Sequence, residues 1–127
     1  PHHTLTIGNH CRETCENLPD DNEILSIAGL LHDIGKKFTK GFTNMKGEKT
    51  EHAHYYQHHL VSAYDSLFYY STYYDIDSLL RLLNYVQWHM QPFFMNNEKS
   101  RNKYKKLWGE DIYNDIMLLH KADISAK

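Results

Sequence analysis

The chain has 127 residues, of which 41% are hydrophobic and 24% are charged, a composition ordinary for one globular domain. This composition excludes a disordered chain, and no apolar run approaches the ~20 residues that a membrane-spanning helix needs. The net charge of -2 argues against a protein that coats nucleic acid. We expect a single domain over residues 1–127, and its abrupt start and end also fit a domain cut from a longer chain. Ten histidines are unusually many for this length and require an explanation.

Apolar residues recur at helical spacing through nearly the whole chain. A first helix is predicted from Ile7 to Leu18, because Pro19 stops it, and residues 20–22 offer N-caps for a second. The second helix is apolar on most of its circumference, so we expect it to be buried and to end near Gly35. The polar segment Lys36–Glu51 is predicted to be a mobile loop.

Three further helices are predicted in the second half of the chain, at about His52–Tyr70, Asp75–His89 and Glu110–Ser125. Between the last two lies a basic segment, Lys99–Lys106, which we interpret as a solvated helix face or loop. The tyrosines concentrated in residues 55–74 are expected to lie mostly in or beside the core, with stacking against a nucleotide base as the less favoured alternative. With no alternating strand and no hairpin signal, the predicted fold class is all-α, a compact bundle of five to six helices.

Histidine and aspartate residues on different predicted helices point to a metal site. His32 and Asp33 are adjacent at the end of the apolar second helix, where burying a charged pair is costly unless it is compensated. Imidazole and carboxylate together suit divalent Zn, Mn, Fe or Ni. Each of the other helices offers one such residue at an apolar border, as in metal sites built inside helical bundles: His10, His58, His89 and Asp123.

The order of these residues resembles that of the HD-domain superfamily of metal-dependent phosphohydrolases. The string Leu30–Lys36 is similar to the family signature, and the segments His58–Ala63 and Trp88–Pro92 are similar to its second and third histidine motifs. Many relatives have Gly before the second-motif histidine and an acidic residue after it, where this chain has Gln57 and His59. That leaves His58 and His59 as alternatives, and the five-residue spacing to Ala63 favours His58.

The resemblance implies one or two divalent metal ions, and Mn, Fe, Ni, Zn and Mg are not distinguished by these ligands. Asp33 would bridge from a first metal to a second one, which His58 and His89 would hold. In a single-metal alternative, His58 and His89 contact the substrate phosphate instead. The implied catalytic residues are His32, Asp33 and Lys36. Lys36 would lie near the substrate phosphate. An equally favoured interpretation is a surface lysine that the helix dipole stabilises at the C-terminus of the second helix. The first metal would be bound by His10, His32, Asp33 and Asp123.

The implied function is hydrolysis of a phosphomonoester or phosphodiester, of a nucleotide, by a metal-activated hydroxide. One alternative is a regulatory nucleotide- or metal-binding module without catalysis, and another is an accessory domain of an RNA-processing enzyme, which the basic segment motivates. The expected partner is a small phosphate ester, whereas nucleic acid is disfavoured by the net charge and no membrane is involved. Cys11 and Cys15, without a second pair, suggest reduced thiols and a cytoplasmic location, and the oligomeric state stays open. The remaining histidines, among them His52, His54 and His120, are expected at the surface, the terminus or the edge of the core.

Overall fold

A computed structural model describes residues 5–36, 40–43, 48–55 and 57–126 of the chain, with the backbone alone for 40–43 and 50–55. Several helices begin at a side chain that accepts a hydrogen bond from the backbone N–H three residues further on, which satisfies a donor that the first helical turn leaves unpaired. These caps are Thr6, Asn22, Asp75 and Asn97. In chain order the elements are α1 (Ile7–Glu16), α2 (Glu23–Leu31), β1 (Lys40–Thr43), β2 (Lys49–Tyr55), α3 (His58–Tyr70), α4 (Ile76–Gln87), a 3-10 helix (Gln91–Phe94), α5 (Glu98–Trp108) and α6 (Glu110–Ser125).

The prediction of an all-α bundle is confirmed, with six α-helices in the described part of the chain. Helices α2, α4 and α6 enclose the hydrophobic core, and α1 packs against α2 and α6. Burying one large apolar side chain contributes about 1.5–3 kcal/mol. The largest fully buried apolar side chains of this core are Leu25, Leu82, Tyr85, Val86, Ile116 and Leu119.

The expectation of no strand, and of a helix starting at His52, was wrong for the segment before α3. Strands β1 and β2 pair antiparallel, with Lys40 opposite Tyr55 and Thr43 opposite Lys49. Gln57, with φ of 59° and ψ of 22°, is left-handed, so the right-handed α3 cannot extend through it towards His52. Parts of the predicted loop are therefore paired strands, and its residues 37–39 and 44–47 lie outside the described residues.

The basic segment forms α5, in agreement with its interpretation as a solvated helix face. No residue of α5 is buried, and Tyr104 and Trp108 hold it to the bundle by stacking on Trp88. The Trp88 and Trp108 ring centroids are 5.7 Å apart. Among the described residues, no helix combines the length and the apolar character needed to cross a bilayer.

The tyrosine prediction holds only in part. Tyr70 and Tyr74 lie at the edge of the core, but Tyr64, Tyr69 and Tyr73 are 72%, 60% and 76% exposed. Helical spacing alone does not show that a helix has a second, unburied face that is also aromatic.

Candidate metal centre

Six side chains from five helical segments converge at one buried point. His10 lies on α1, His58 is the first residue of α3, and Asp123 is in the last turn of α6. His32 and Asp33 occupy the turn that follows α2, and His89 follows α4 directly after its C-cap residue. All six are buried, each at most 5% exposed, so the bundle encloses a strongly polar cluster that needs internal compensation.

The first ligand group consists of His10, His32, Asp33 and Asp123. The Nε2 atom of His10 lies 2.7 Å from Oδ1 of Asp123, and the Nε2 atom of His32 lies 3.2 Å from the same oxygen. These two Nε2 atoms are 3.3 Å apart, and they lie 3.4 and 3.3 Å from Oδ2 of Asp33. The ligand atoms of this group all lie within 4.8 Å of one another.

The second ligand group consists of Asp33, His58 and His89. The Nε2 atoms of His58 and His89 are 3.1 Å apart, and they lie 3.1 and 3.3 Å from Oδ1 of Asp33. The two oxygens of the Asp33 carboxylate are thus divided between the groups, Oδ2 facing the first and Oδ1 facing the second. Asp33 is the common member of both.

Backbone carbonyls set the orientation of three of the imidazole rings. The Nδ1–H groups of His32 and His89 donate to the carbonyl oxygens three residues before them, Gly29 at 2.7 Å and Val86 at 2.6 Å. The Nδ1–H of His10 donates to the carbonyl of Ala126 at 2.6 Å. Because a carbonyl can only accept, the Nδ1 atom carries the proton and Nε2 points its lone pair at the centre when the ring is neutral. This is the orientation in which an imidazole binds a metal ion.

The charges of the first ligand group are strongly coupled. Burial lowers the pKa of His10, but hydrogen bonds to Asp123 and Asp33 outweigh this and raise it to about 9. Burial also lowers the pKa of His32. The charge of Asp33 and a hydrogen bond to Asp123 outweigh this and raise the pKa well above 6.5. Burial raises the pKa of both carboxyl groups, but the histidines reverse this and hold them below 3.8. Without a metal, two imidazolium protons therefore balance two buried carboxylates.

His89 in the second ligand group is different, because burial outweighs its hydrogen bond to Asp33. Burial lowers the pKa of His89 below 6.5, so this imidazole is neutral at physiological pH and offers its Nε2 lone pair. The Nε2 atoms of His58 and His89 are 3.1 Å apart, and this contact is favourable when a proton or a cation lies between them. The nitrogen and oxygen donors of both groups, buried and aimed at common points, fit divalent metal ions.

The other predicted site residues lie around the two groups. The Nζ atom of Lys36 is 3.2 Å from Oδ2 of Asp33, and its side chain is 14% exposed, more than the carboxylate beside it. His59 is half-buried and belongs to neither group, which leaves His58 as the residue that reaches the centre. His120 is half-buried against the Phe93 ring, as expected for the edge of the core. His52 and His54 lie in β2, where only the backbone is described.

Sequence reasoning missed the atoms that support the ligands. The carbonyls of Gly29 and Val86 precede their histidines by three residues, which is typical of a helix end and was in principle recognisable. No local signal marks Ala126, which lies 116 residues after His10. The turn after α2 is also tied to α3, since Gly35 N–H donates to Ser62 Oγ at 2.7 Å.

A helical bundle that gathers histidines and aspartates around one shared carboxylate is a candidate metal-binding domain. The family model of the HD domain matches residues 2–126, and the chain belongs to this family. The family consists generally of metal-dependent hydrolases, and its members bind divalent metal ions. No curated protein and no solved structure matches the chain.

Proposed function

We propose that the protein is a metal-dependent phosphohydrolase that cleaves a phosphomonoester or phosphodiester of a nucleotide. The observation that carries this proposal is the position of the Asp33 carboxylate, whose two oxygens face two separate ligand groups. A carboxylate placed in this way suits a centre of two ions, as phosphate-ester hydrolases commonly use. In a single-metal site, by contrast, Asp33 Oδ1 would face His58 and His89 only as a hydrogen-bond acceptor.

The residues of the centre have different expected roles in the reaction. The first ligand group offers four ligand residues and the second offers three, so the second leaves more coordination positions for a phosphate oxygen. Divalent ions bound there would supply Lewis-acid activation of water and neutralisation of phosphate charge. The carbonyls of Gly29, Val86 and Ala126 keep the imidazoles in the ligating orientation throughout. The surrounding bundle excludes bulk water, which strengthens every charge interaction inside the centre.

Lys36 is proposed to bind the substrate phosphate. Its ammonium group lies beside Asp33, and a flexible point charge suits a phosphate oxygen. Lys36→Met should lower turnover by roughly a hundredfold while leaving the metal content unchanged. Lys99→Met, at an exposed position on α5, is the matched control and should leave both unchanged. Equal loss of metal in Lys36→Met would assign the lysine to metal binding or folding instead.

The direct test is a hydrolysis screen with Mn²⁺, Ni²⁺, Co²⁺ and Fe²⁺ against nucleotides, cyclic nucleotides and bis(p-nitrophenyl) phosphate. We expect metal-dependent turnover that Asp33→Asn reduces at least about a hundredfold while circular dichroism still shows a helical protein. Absence of turnover from a metal-loaded protein would refute the proposal. Tight nucleotide binding in that case would instead support a regulatory binding module.

The basic face of α5 favours a second candidate, an accessory role in RNA processing. Lys99, Lys103 and Lys106 lie on one exposed helical stripe, and such a stripe can contact successive phosphates. Replacing these three lysines with glutamate should abolish RNA binding if this role is real. RNA affinity that is unaffected by the charge reversal, or absent from the start, would exclude it.

A further inference from the structure

Four tyrosines line a groove at the end of α3. Tyr69, Tyr70, Tyr73 and Tyr74, together with Leu31 at the end of α2, surround a cavity of about 460 Å³. This volume lies in the range of small-molecule sites. Tyr70 is twelve residues beyond His58 on α3, which corresponds to about 18 Å along a helix. No lining residue belongs to either ligand group, although Leu31 directly precedes His32.

The tyrosine rings form walls at different angles. The ring centroids of Tyr70 and Tyr74 are 5.8 Å apart with planes inclined by 41°, and those of Tyr70 and Tyr73 are 6.3 Å apart with planes inclined by 63°. Tyr70 packs against the hydrophobic core and is therefore fixed, whereas Tyr69 and Tyr73 are more than half exposed. Exposed aromatic rings beside an anchored one offer accessible π faces, and these faces attract cations.

The chain segments that form and flank the groove are acidic. The segments that form and flank it, residues 17–35 and 57–80, contain none of the chain's 14 lysines and arginines. At the rim of the groove, burial and the nearby carboxylate of Glu23 raise the pKa of the Tyr74 phenol. Outside the metal centre, these segments carry the acidic residues Asp20, Asp21, Glu23, Asp65, Asp75 and Asp77. The surroundings are therefore complementary to a positive ligand.

We propose that this tyrosine groove binds a methylated ammonium group, as found on choline-like metabolites or trimethylated lysine. Such a cation has no N–H donors and is held by aromatic faces and a negative field, which are the features that the groove combines. A primary ammonium or guanidinium group would need several hydrogen-bond acceptors, whereas the groove is lined by phenol rings and Leu31 and by no carboxylate. An uncharged apolar ligand would make no use of the acidic surroundings. This site does not depend on the proposed hydrolysis.

The test is calorimetric titration of the chain with choline chloride, with potassium chloride as the salt control. The matched ligand control is 3,3-dimethyl-1-butanol, which has the shape of choline without its charge. We expect saturable choline binding at least about tenfold tighter than that of the neutral alcohol. Equal binding of the two, or no saturation by choline up to about 50 mM, would overturn the proposal.

Two variants localise the binding. Tyr73→Leu should weaken choline binding about fivefold, because one exposed π face is lost from the groove. Tyr64→Leu, at an equally exposed position on α3 outside the groove, should bind choline like the unaltered chain. Equal effects of the two substitutions would place the ligand elsewhere and contradict the assignment. A trimethyllysine peptide, compared with choline, then distinguishes a side-chain ligand from a free metabolite.

Discussion

Gly35 joins the turn after α2 to the first turn of α3, and its lack of a side chain determines where His58 lies. A Cβ atom at position 35 would come 2.5 Å from the His58 carbonyl oxygen, 2.7 Å from the Ser62 nitrogen and 2.8 Å from Ser62 Oγ. Ordinary contacts of a Cβ begin near 3.4 Å, and two of these three atoms are backbone. In Gly35→Ala the start of α3 must therefore move away by roughly 0.9 Å, and overpacking of this kind costs about 1–3 kcal/mol.

The expected consequence falls on the second ligand group. A metal–ligand distance tolerates only about 0.2 Å of deviation, so a shift of nearly an ångström at His58 is several times too large. The ligands that His10, His32 and Asp123 supply to the first group come from α1, the α2 turn and α6, and they stay in place. We predict that Gly35→Ala retains one ion, loses about a hundredfold in turnover and melts about 4–12 °C lower.

Metal content by mass spectrometry, turnover and thermal unfolding together measure this outcome. Gly8→Ala is the matched control, because a Cβ at that exposed position on α1 meets nothing within 4 Å. It should keep both ions and full turnover and gain up to about 1 kcal/mol of stability from its better helix propensity. Two ions and undiminished turnover in Gly35→Ala would refute the reasoning that close packing at Gly35 positions His58.

Three further predictions follow from the same geometry. His58→Ala should lose one metal ion and its turnover, whereas His59→Ala should keep two ions and full turnover. Metal analysis of the two variants tests this, and the reverse pattern would assign His59 as the ligand. In metal-free protein the His10 pKa is raised from 6.5 to about 9, so its stabilisation of about 3 kcal/mol is complete below pH 6.5 and lost as the pH rises through 9. Melting temperatures in EDTA should therefore fall between pH 6.5 and 9. Metal affinity should rise over the same pH range by about tenfold per pH unit for each proton that the metal displaces, and an affinity that does not change with pH would contradict this. Tyr85→Phe removes the 2.5 Å hydrogen bond to Asp115 and should destabilise the fold by about 1–2 kcal/mol in urea titrations without changing the metal content; loss of metal would instead show coupling to the centre.

The six predicted ligands could be recognised because each occupies a different helical segment at an apolar border. Chain order and the family resemblance then indicated that His10, His58, His89 and Asp123 meet the His32-Asp33 pair. The family resemblance implied that Asp33 bridges two groups, but which carboxylate oxygen faces which group depends on how five helical segments pack. The choice of His58 over His59 depends likewise on where α3 begins and which face it buries.

Two features escaped prediction for identifiable physical reasons. The hairpin before α3 depends on strand pairing and on the left-handed conformation of Gln57, and a non-glycine residue gives little warning of such a conformation. The tyrosines of the groove have helical spacing, which predicts a common face but not whether that face is covered. Tyr69 and Tyr73 therefore looked like core-edge residues, although they are largely exposed.

The number and position of bound metal ions test the central claim most directly. Crystals of metal-loaded protein, with anomalous scattering measured at the absorption edge of the added element, locate each ion and identify it. We predict two ions per chain, one in each ligand group, with the Asp33 carboxylate between them. A single ion in the first ligand group, with His58 and His89 binding no metal at full loading, would contradict the two-ion centre.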